Sequence, residues 1–233
     1  FNEVNVLIDI FDYSCTNISG YKKLNHSQVL KENISYILNS LKLIISENEK
    51  NKTILHIFNS KNILDKTIIE NLPIGLFGDF YSHELTFFSI DNNDLKNINQ
   101  IFKKNNINVK KVLLKNFIEG VSLINKNKNI ETFFKIKIGR NTSSINYFNT
   151  SSFRYSENFK FGSNIILKDI KKICAISDQS IDKILSGKVL KKKDFDENEL
   201  LEDKYFVNDN YRKIRKKLIY DIAQARIKEI VDI

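Results

Sequence analysis

The residues best placed to do chemistry are Lys137-Ile138-Gly139-Arg140-Asn141-Thr142-Ser143-Ser144, a Gly- and hydroxyl-bearing turn between two strand-like runs. Backbone N–H groups of a turn with glycine can approach a phosphate and form an anion nest. On turn chemistry alone a plain hairpin is the commoner outcome. The other candidates carry less. Asp9 and Asp12 stand close together at the end of a strand, where paired carboxylates can exchange protons or simply face water. Ser14-Cys15-Thr16 has no base at a meaningful spacing, so nucleophilic catalysis has no support. His26, His56 and His83 share no ligand spacing. Cys15 and Cys174 are isolated and read as reduced thiols of a cytoplasmic protein.

Alternating strands and helices must position that turn. Val4–Tyr13 predicts a strand with Val4, Val6, Ile8 and Ile10 on one face, and Asn17–Lys22 a turn or short strand. Ser27–Ile45 predicts an amphipathic helix capped by Asn25 or Ser27. Thr53–Phe58, Phe80–Ile90 and Val109–Leu114 predict strands, with the Pro73–Gly78 loop before the second and a helix capped by Asp91 after it. Phe117–Ile124 predicts a short helix. After the polar run Lys126–Asn129 three strands are expected in succession, over 132–138, 144–148 and 153–161, and then helices over 164–174, 178–185 and 209–233. This order defines an α/β layered protein.

Composition bounds the partners. The 233 residues are 42% hydrophobic, enough for a core, and no apolar run approaches the ~18 residues of a membrane span. The net charge of +9 permits nucleic-acid or anionic-membrane binding. Lys, Asn and Ile are abundant throughout, however, and aromatic-flanked basic grooves are not evident, so no specific nucleic acid is expected. The chain has no Met and opens directly into a strand, which reads as an internal piece of a longer protein.

In order along the chain, several stretches resemble the FtsA family of actin-like bacterial cell-division proteins. Ile54-Leu55-His56-Ile57 resembles its Val-Leu-His strand, and Pro73-Ile74-Gly75-Leu76-Phe77-Gly78 its Pro-x-Gly-Leu/Met-x-Gly loop. The loop from Lys137 to Ser144 resembles its Asp-Ile-Gly-Gly-Gly-Thr-Thr-Asp. Phe161-Gly162-Ser163-Asn164 with Lys168-Asp169-Ile170 resembles Gly-Gly-Asn-x-x-Thr-x-Asp-Ile. Asp182-Lys183-Ile184-Leu185 with Gly187 resembles a Glu-x-Ile-Lys-x-x-Tyr-Gly helix, and Ala225-Arg226-Ile227-Lys228-Glu229-Ile230 an Arg-x-x-Glu-Ile helix.

The resemblance implies an actin-like (ribonuclease H-like) split α/β fold. Residues 1–22 would end the first large subdomain, 23–80 would form an inserted small subdomain, 81–125 would return to the first, and 126–233 would hold the second half. It implies nucleotide contacts at Gly139, Arg140, Asn141, Thr142, Gly162 and Asp182, with ATP as the cofactor. It implies partner contacts at Arg226, Glu229 and Arg215, with FtsZ, other division proteins and further copies of the chain as partners. The place would be the cytoplasmic face of the inner membrane at the septum, with anchoring through a tail beyond Ile233. The departures matter as much. Lys137 and Ser144 stand where the pattern has acids, Arg140 and Asn141 where it has glycines, and Leu185 where it has a lysine. Mg²⁺-dependent hydrolysis needs a carboxylate to position metal and water. The expected protein is therefore a scaffold with weak or absent ATPase activity. The alternative is an active actin-like ATPase such as a pilus-assembly relative.

Overall fold

A computed structural model describes residues 2–9, 12–127, 129–150, 152–186 and 196–232. The chain runs β1 (Glu3–Ile8), β2 (Tyr13–Gln28), α1 (Lys31–Asn48), β3 (Lys52–Leu64), β4 (Thr67–Ile69), β5 (Phe77–Asp91), α2 (Asn92–Lys103), β6 (Asn108–Leu114) and α3 (Lys115–Lys126). It continues with β7 (Thr132–Ile138), β8 (Ser143–Asn149), β9 (Ser152–Phe159), α4 (Asn164–Cys174), α5 (Asp178–Ser186) and α6 (Lys216–Val231). Two compact units result: Phe1–Lys137 with Ser144–Asn158, and Ile138–Ser143 with Phe159–Ile233.

In the first unit β1 and β6 pair in parallel, as a strand–crossover–strand arrangement requires. The second sheet has the order β2-β5-β3-β4, and the third β7-β8-β9. β5 sits centrally in its sheet, and from Leu85 to Ile90 it is buried on both faces. One face receives α1 through Ile37, Leu41 and Ile45, spaced four apart to form a single stripe. The rest of the unit packs around rings. Phe88 and Phe153 stack at 4.3 Å, Phe148 and Phe153 at 4.7 Å, and Phe133 and Phe148 at 4.9 Å. Gly120 of α3 lets that stack close, because a methyl group there would overlap the Phe148 ring.

β2 and β5 carry the chain through residues 22 and 80 without a break, so the four-stranded sheet is continuous across both of those residues. Asn17–Lys22 belongs to β2 and is not a turn. The helix expected from Ser27 begins at Lys31 instead. Val29 is bonded into the loop before β5, its N–H donating to Leu76 O at 2.9 Å while Gly75 N donates to Val29 O at 2.9 Å. The helix end is closed by Asn33 Oδ1, which accepts from Leu30 N at 2.7 Å. Neither Asn25 nor Ser27 caps it.

The second unit is helical. Its core is Ile170, Cys174, Ile176, Ile181, Ile184, Leu201, Ile214, Ile219 and Ile222, with Tyr205 at the margin. α6 starts at Lys216 and not at 209, because residues 214 and 215 are spent on a short bridge to 200–201, with Leu201 N donating to Ile214 O at 2.8 Å. Before α5, Ser177 N and Ser180 Oγ both donate to Asp209 Oδ2, at 2.8 and 2.6 Å. These bonds hold the Asp209 carboxyl below the usual carboxylate range, the Ser180 hydroxyl contributing most.

Candidate functional site

Gly139, Arg140, Asn141 and Thr142 form the turn between β7 and β8, closed by Gly139 N donating to Thr142 O at 2.9 Å. The turn lies against the start of α4. Ser163 N donates to Gly139 O and Asn164 N to Arg140 O, both at 2.9 Å. These are first-turn donors of a helix, the groups that otherwise receive an anion. Here they take backbone carbonyls of the turn. Gly162 makes this approach feasible: a β-carbon there would overlap Gly139 O and Arg140. The side chains extend the same contact, with Arg140 Nε donating to Asn164 Oδ1 at 3.0 Å and Asn164 Nδ2 donating to Asn141 Oδ1.

The structure thus brings Gly139, Arg140, Asn141, Thr142 and Gly162 together, and adds Asn164. Asp182 is not part of this cluster. It sits on the exposed side of α5 and makes no side-chain hydrogen bond or ion pair among the described residues. Leu185, next to it on the helix, is 40% exposed. Gly187 and the Lys188–Lys193 run lie outside the described residues.

Lys137 and Ser144, at the ends of the turn-bearing strands, belong by their contacts to the first unit. Lys137 Nζ pairs with Asp9 Oδ1 at 3.0 Å, and Lys115 Nζ pairs with Asp9 Oδ2 at 2.9 Å. The two ammonium groups, Lys115 above all, hold the Asp9 carboxyl below its ordinary range. Asp9 is therefore a paired anion and no free acid–base group. Ser144 is buried and accepts from Asn146 Nδ2 at 3.2 Å. Asn146 Oδ1 accepts from Ser156 Oγ at 2.9 Å, and Ser156 meets the Tyr13 hydroxyl at 2.5 Å. Ser144 is the end of an internal polar chain.

A magnesium ion bound to phosphate needs oxygen ligands, carboxylates first. The turn supplies none: its own residues are Gly139, Arg140, Asn141 and Thr142, and the flanking Lys137 is a cation. These residues do not fit the metal. They fit an anion through Arg140, which spends Nε on Asn164 and keeps its outer guanidinium nitrogens. Among the described residues no group of three or more His, Cys, Asp or Glu side chains could hold a metal ion, and no helix is long and apolar enough to cross a membrane.

In the second unit Arg226 is held from two sides. Nε donates to Asp169 Oδ2 of α4 at 2.5 Å, and Nη1 to Glu229 Oε2 at 2.6 Å. The Asp169 bond is the main cause of a guanidinium pKa above its ordinary value. Glu229 is thus a neighbour on the same helix, while Asp169 joins α6 to α4. Arg215 lies at the start of α6, exposed, near the Lys217–Glu197 pair. Between α4 and α6 a groove of about 710 Å³ is lined by Asp169, Lys172, Ile173, Ala225 and Arg226 among others, and Ile173 is 58% exposed.

No family model matches the chain, and no curated protein matches it in sequence. The fold, however, is actin-like α/β. The chain is similar to a solved structure of the PilM–PilN type IV pilus biogenesis complex, with a TM-score of 0.53 at 7% identity over 99% of this chain. It spans 56% of that chain. It is also similar to MreB 5 of Spiroplasma citri bound to AMPPNP, with a TM-score of 0.38 at 17% identity over 61% of this chain and 44% of the other.

Proposed function

We propose that this chain is part of an actin-like scaffold whose phosphate turn no longer supports hydrolysis. The observation that carries this reading is Lys137. It occupies the position where the turn pattern has a metal-positioning acid, and its charge is already matched by Asp9 at 3.0 Å. Any nucleotide contact rests on Arg140 and the backbone of Gly139–Thr142, which can bind a phosphate but cannot place a metal or polarise water. The test is equilibrium binding of ATP with and without Mg²⁺. Weak binding that is indifferent to Mg²⁺ and lost in Arg140→Gln supports the reading. Tight, Mg²⁺-dependent binding overturns it.

In finer detail, we take the scaffold to be a division protein similar to FtsA. It would link the FtsZ ring to the inner membrane through a segment outside this chain and assemble with further copies, residues 23–80 forming the contact unit. The motif order supports this reading. The α4–α6 groove, with Lys172 and Arg226 beside apolar Ile173 and with Asp169, Asp221 and Glu229 also in its lining, is where we place an acidic and apolar peptide such as the FtsZ C-terminus, Arg215 standing exposed at the start of α6. Because Asp169 and Glu229 already hold Arg226, Lys172 is the cleaner probe of the groove. Lys172→Glu is expected to weaken binding of an FtsZ C-terminal peptide, and the wild-type affinity is expected to fall as salt rises. Unchanged binding by a folded variant removes this groove from the reading. A second reading, a pilus-assembly relative, is favoured by the similarity to the PilM–PilN complex. A fluorescent fusion of the whole protein separates the two: septal bands fit the first, and their absence in dividing cells favours the second.

A further inference from the structure

A cleft of about 660 Å³ in the first unit is lined by Asn59, Ser60, Asn62, Glu70, Ser152 and Arg154 among others. A second opening of about 450 Å³ shares Ser60, Lys61, Asn149 and Arg154 with it and adds Glu84. Arg154, on β9, is thus common to both. Its backbone is fixed: the carbonyl accepts from Thr86 Oγ1 at 3.2 Å and from Asn17 Nδ2 at 3.4 Å. Thr86 is itself tied to Asn17 Oδ1 and to Ser60 Oγ, both at 2.5 Å.

The side chain is the opposite case. Arg154 Nε is buried with no hydrogen-bond partner, and the guanidinium makes no ion pair among the described residues, although Glu84 lines the same opening. Burial lowers its pKa, the field of Glu84 offsetting that only in part. Arginine keeps its proton in proteins, so the half-buried guanidinium stays a cation, near Glu84 but not paired with it. Such a group is unfavourable on its own and well suited to a ligand that brings oxygen atoms. Its planar fork matches carboxylate and phosphoryl groups through two parallel hydrogen bonds.

We propose that this cleft binds a small oxyanion, a carboxylate or a phosphoryl group, through Arg154, with the side-chain amide N–H of Asn149 as a further donor. The site is independent of the turn at Gly139–Thr142.

The experiment uses the whole chain, with inorganic phosphate and succinate as probes at constant ionic strength against a chloride control. Thermal unfolding and calorimetric titration give the readout. At least one probe is expected to raise Tm and to titrate to a single site, and the better of the two identifies which oxyanion the cleft takes. Arg154→Gln is expected to weaken that binding at least tenfold while unfolding, without anion, no earlier than the wild type, since it removes a half-buried charge that no ion pair among the described residues holds. Arg154→Lys keeps the charge, loses the fork, and is expected to bind with intermediate affinity. Lys96→Gln, which removes an exposed charge of α2 away from both candidate sites, is expected to bind like the wild type. The proposal is overturned if neither probe exceeds the chloride control or if Arg154→Gln binds as the wild type does.

Discussion

The two units are built from different materials. The first is a set of sheets closed around aromatic rings, with Phe58, Phe88, Phe117, Phe148 and Phe153 in mutual contact. The second has an almost wholly aliphatic helical core, and its connections are polar: Asp209 on Ser177 and Ser180, Arg226 on Asp169, Lys216 on Glu199. Stacked rings fix geometry narrowly and tolerate little intrusion. An aliphatic helical core, whose side chains can repack, tolerates exchange more readily. The candidate phosphate turn belongs by contact to the second kind of material, while Lys137 and Ser144 beside it are held by the first. A turn on a permissive unit can lose its glycines and acids without unfolding anything. The sheets that carry it cannot drift as far.

The ring core of the first unit has least room at Gly120. A methyl group there meets the Phe148 ring within the stack, so Gly120→Ala is expected to cost about 3 kcal/mol. Urea unfolding followed by circular dichroism measures it, and a cost below about 1 kcal/mol would show the ring core to be looser than described.

A second effect is set by pH. His83 is buried, with Nε2 on Asn59 Oδ1 at 3.0 Å and Nδ1 without a partner, and burial pulls its pKa down to about 4. Because the folded value lies below the unfolded one near 6.5, the protein keeps full stability above pH 6.5 and loses it as pH falls towards 4. The loss is of order 2–3 kcal/mol. His83→Gln is expected to flatten the slope of stability between those pH values, whatever it does to stability at pH 7. A slope unchanged in the variant would place the titration elsewhere.

In the second unit the corresponding intrusion is Gly162→Ala, which pushes on backbone carbonyls of the turn and not on a ring core. The expected cost is about 2 kcal/mol, smaller because the turn can move away. Hydrogen exchange is the sharper reading: the amides of Ser163 and Asn164 should lose protection while those of α6 keep it. Loss of protection throughout the unit would mean that the turn is part of its core.

Much of this was legible in the sequence. Asp91 caps α2 as expected, its Oδ1 accepting from Asn93 N at 2.7 Å, and β7, α4 and α5 fall within a residue of their patterns. What was not legible depended on distant partners. Val29 and Leu30 look like helix residues by spacing, yet Val29 is claimed by the loop at 75–76. Ile214 fits the pattern of α6 but pairs with residue 201. β4, three residues long, is too short to carry a period. At the site, the turn residues and Gly162 were found because they lie in local motifs. The Asp9–Lys137 pair spans 128 positions and the Arg226–Asp169 pair 57, and no spacing rule reaches that far.

The activity we propose the turn lacks is metal-dependent hydrolysis. The most direct test is phosphate release from ATP by the whole protein, measured with Mg²⁺ and with a chelator. Release at the buffer rate is expected in both conditions, for the wild type and for Arg140→Gln alike. Release well above buffer that requires Mg²⁺ and disappears in Arg140→Gln would contradict it, because a working metal site would then exist at a turn that carries no carboxylate.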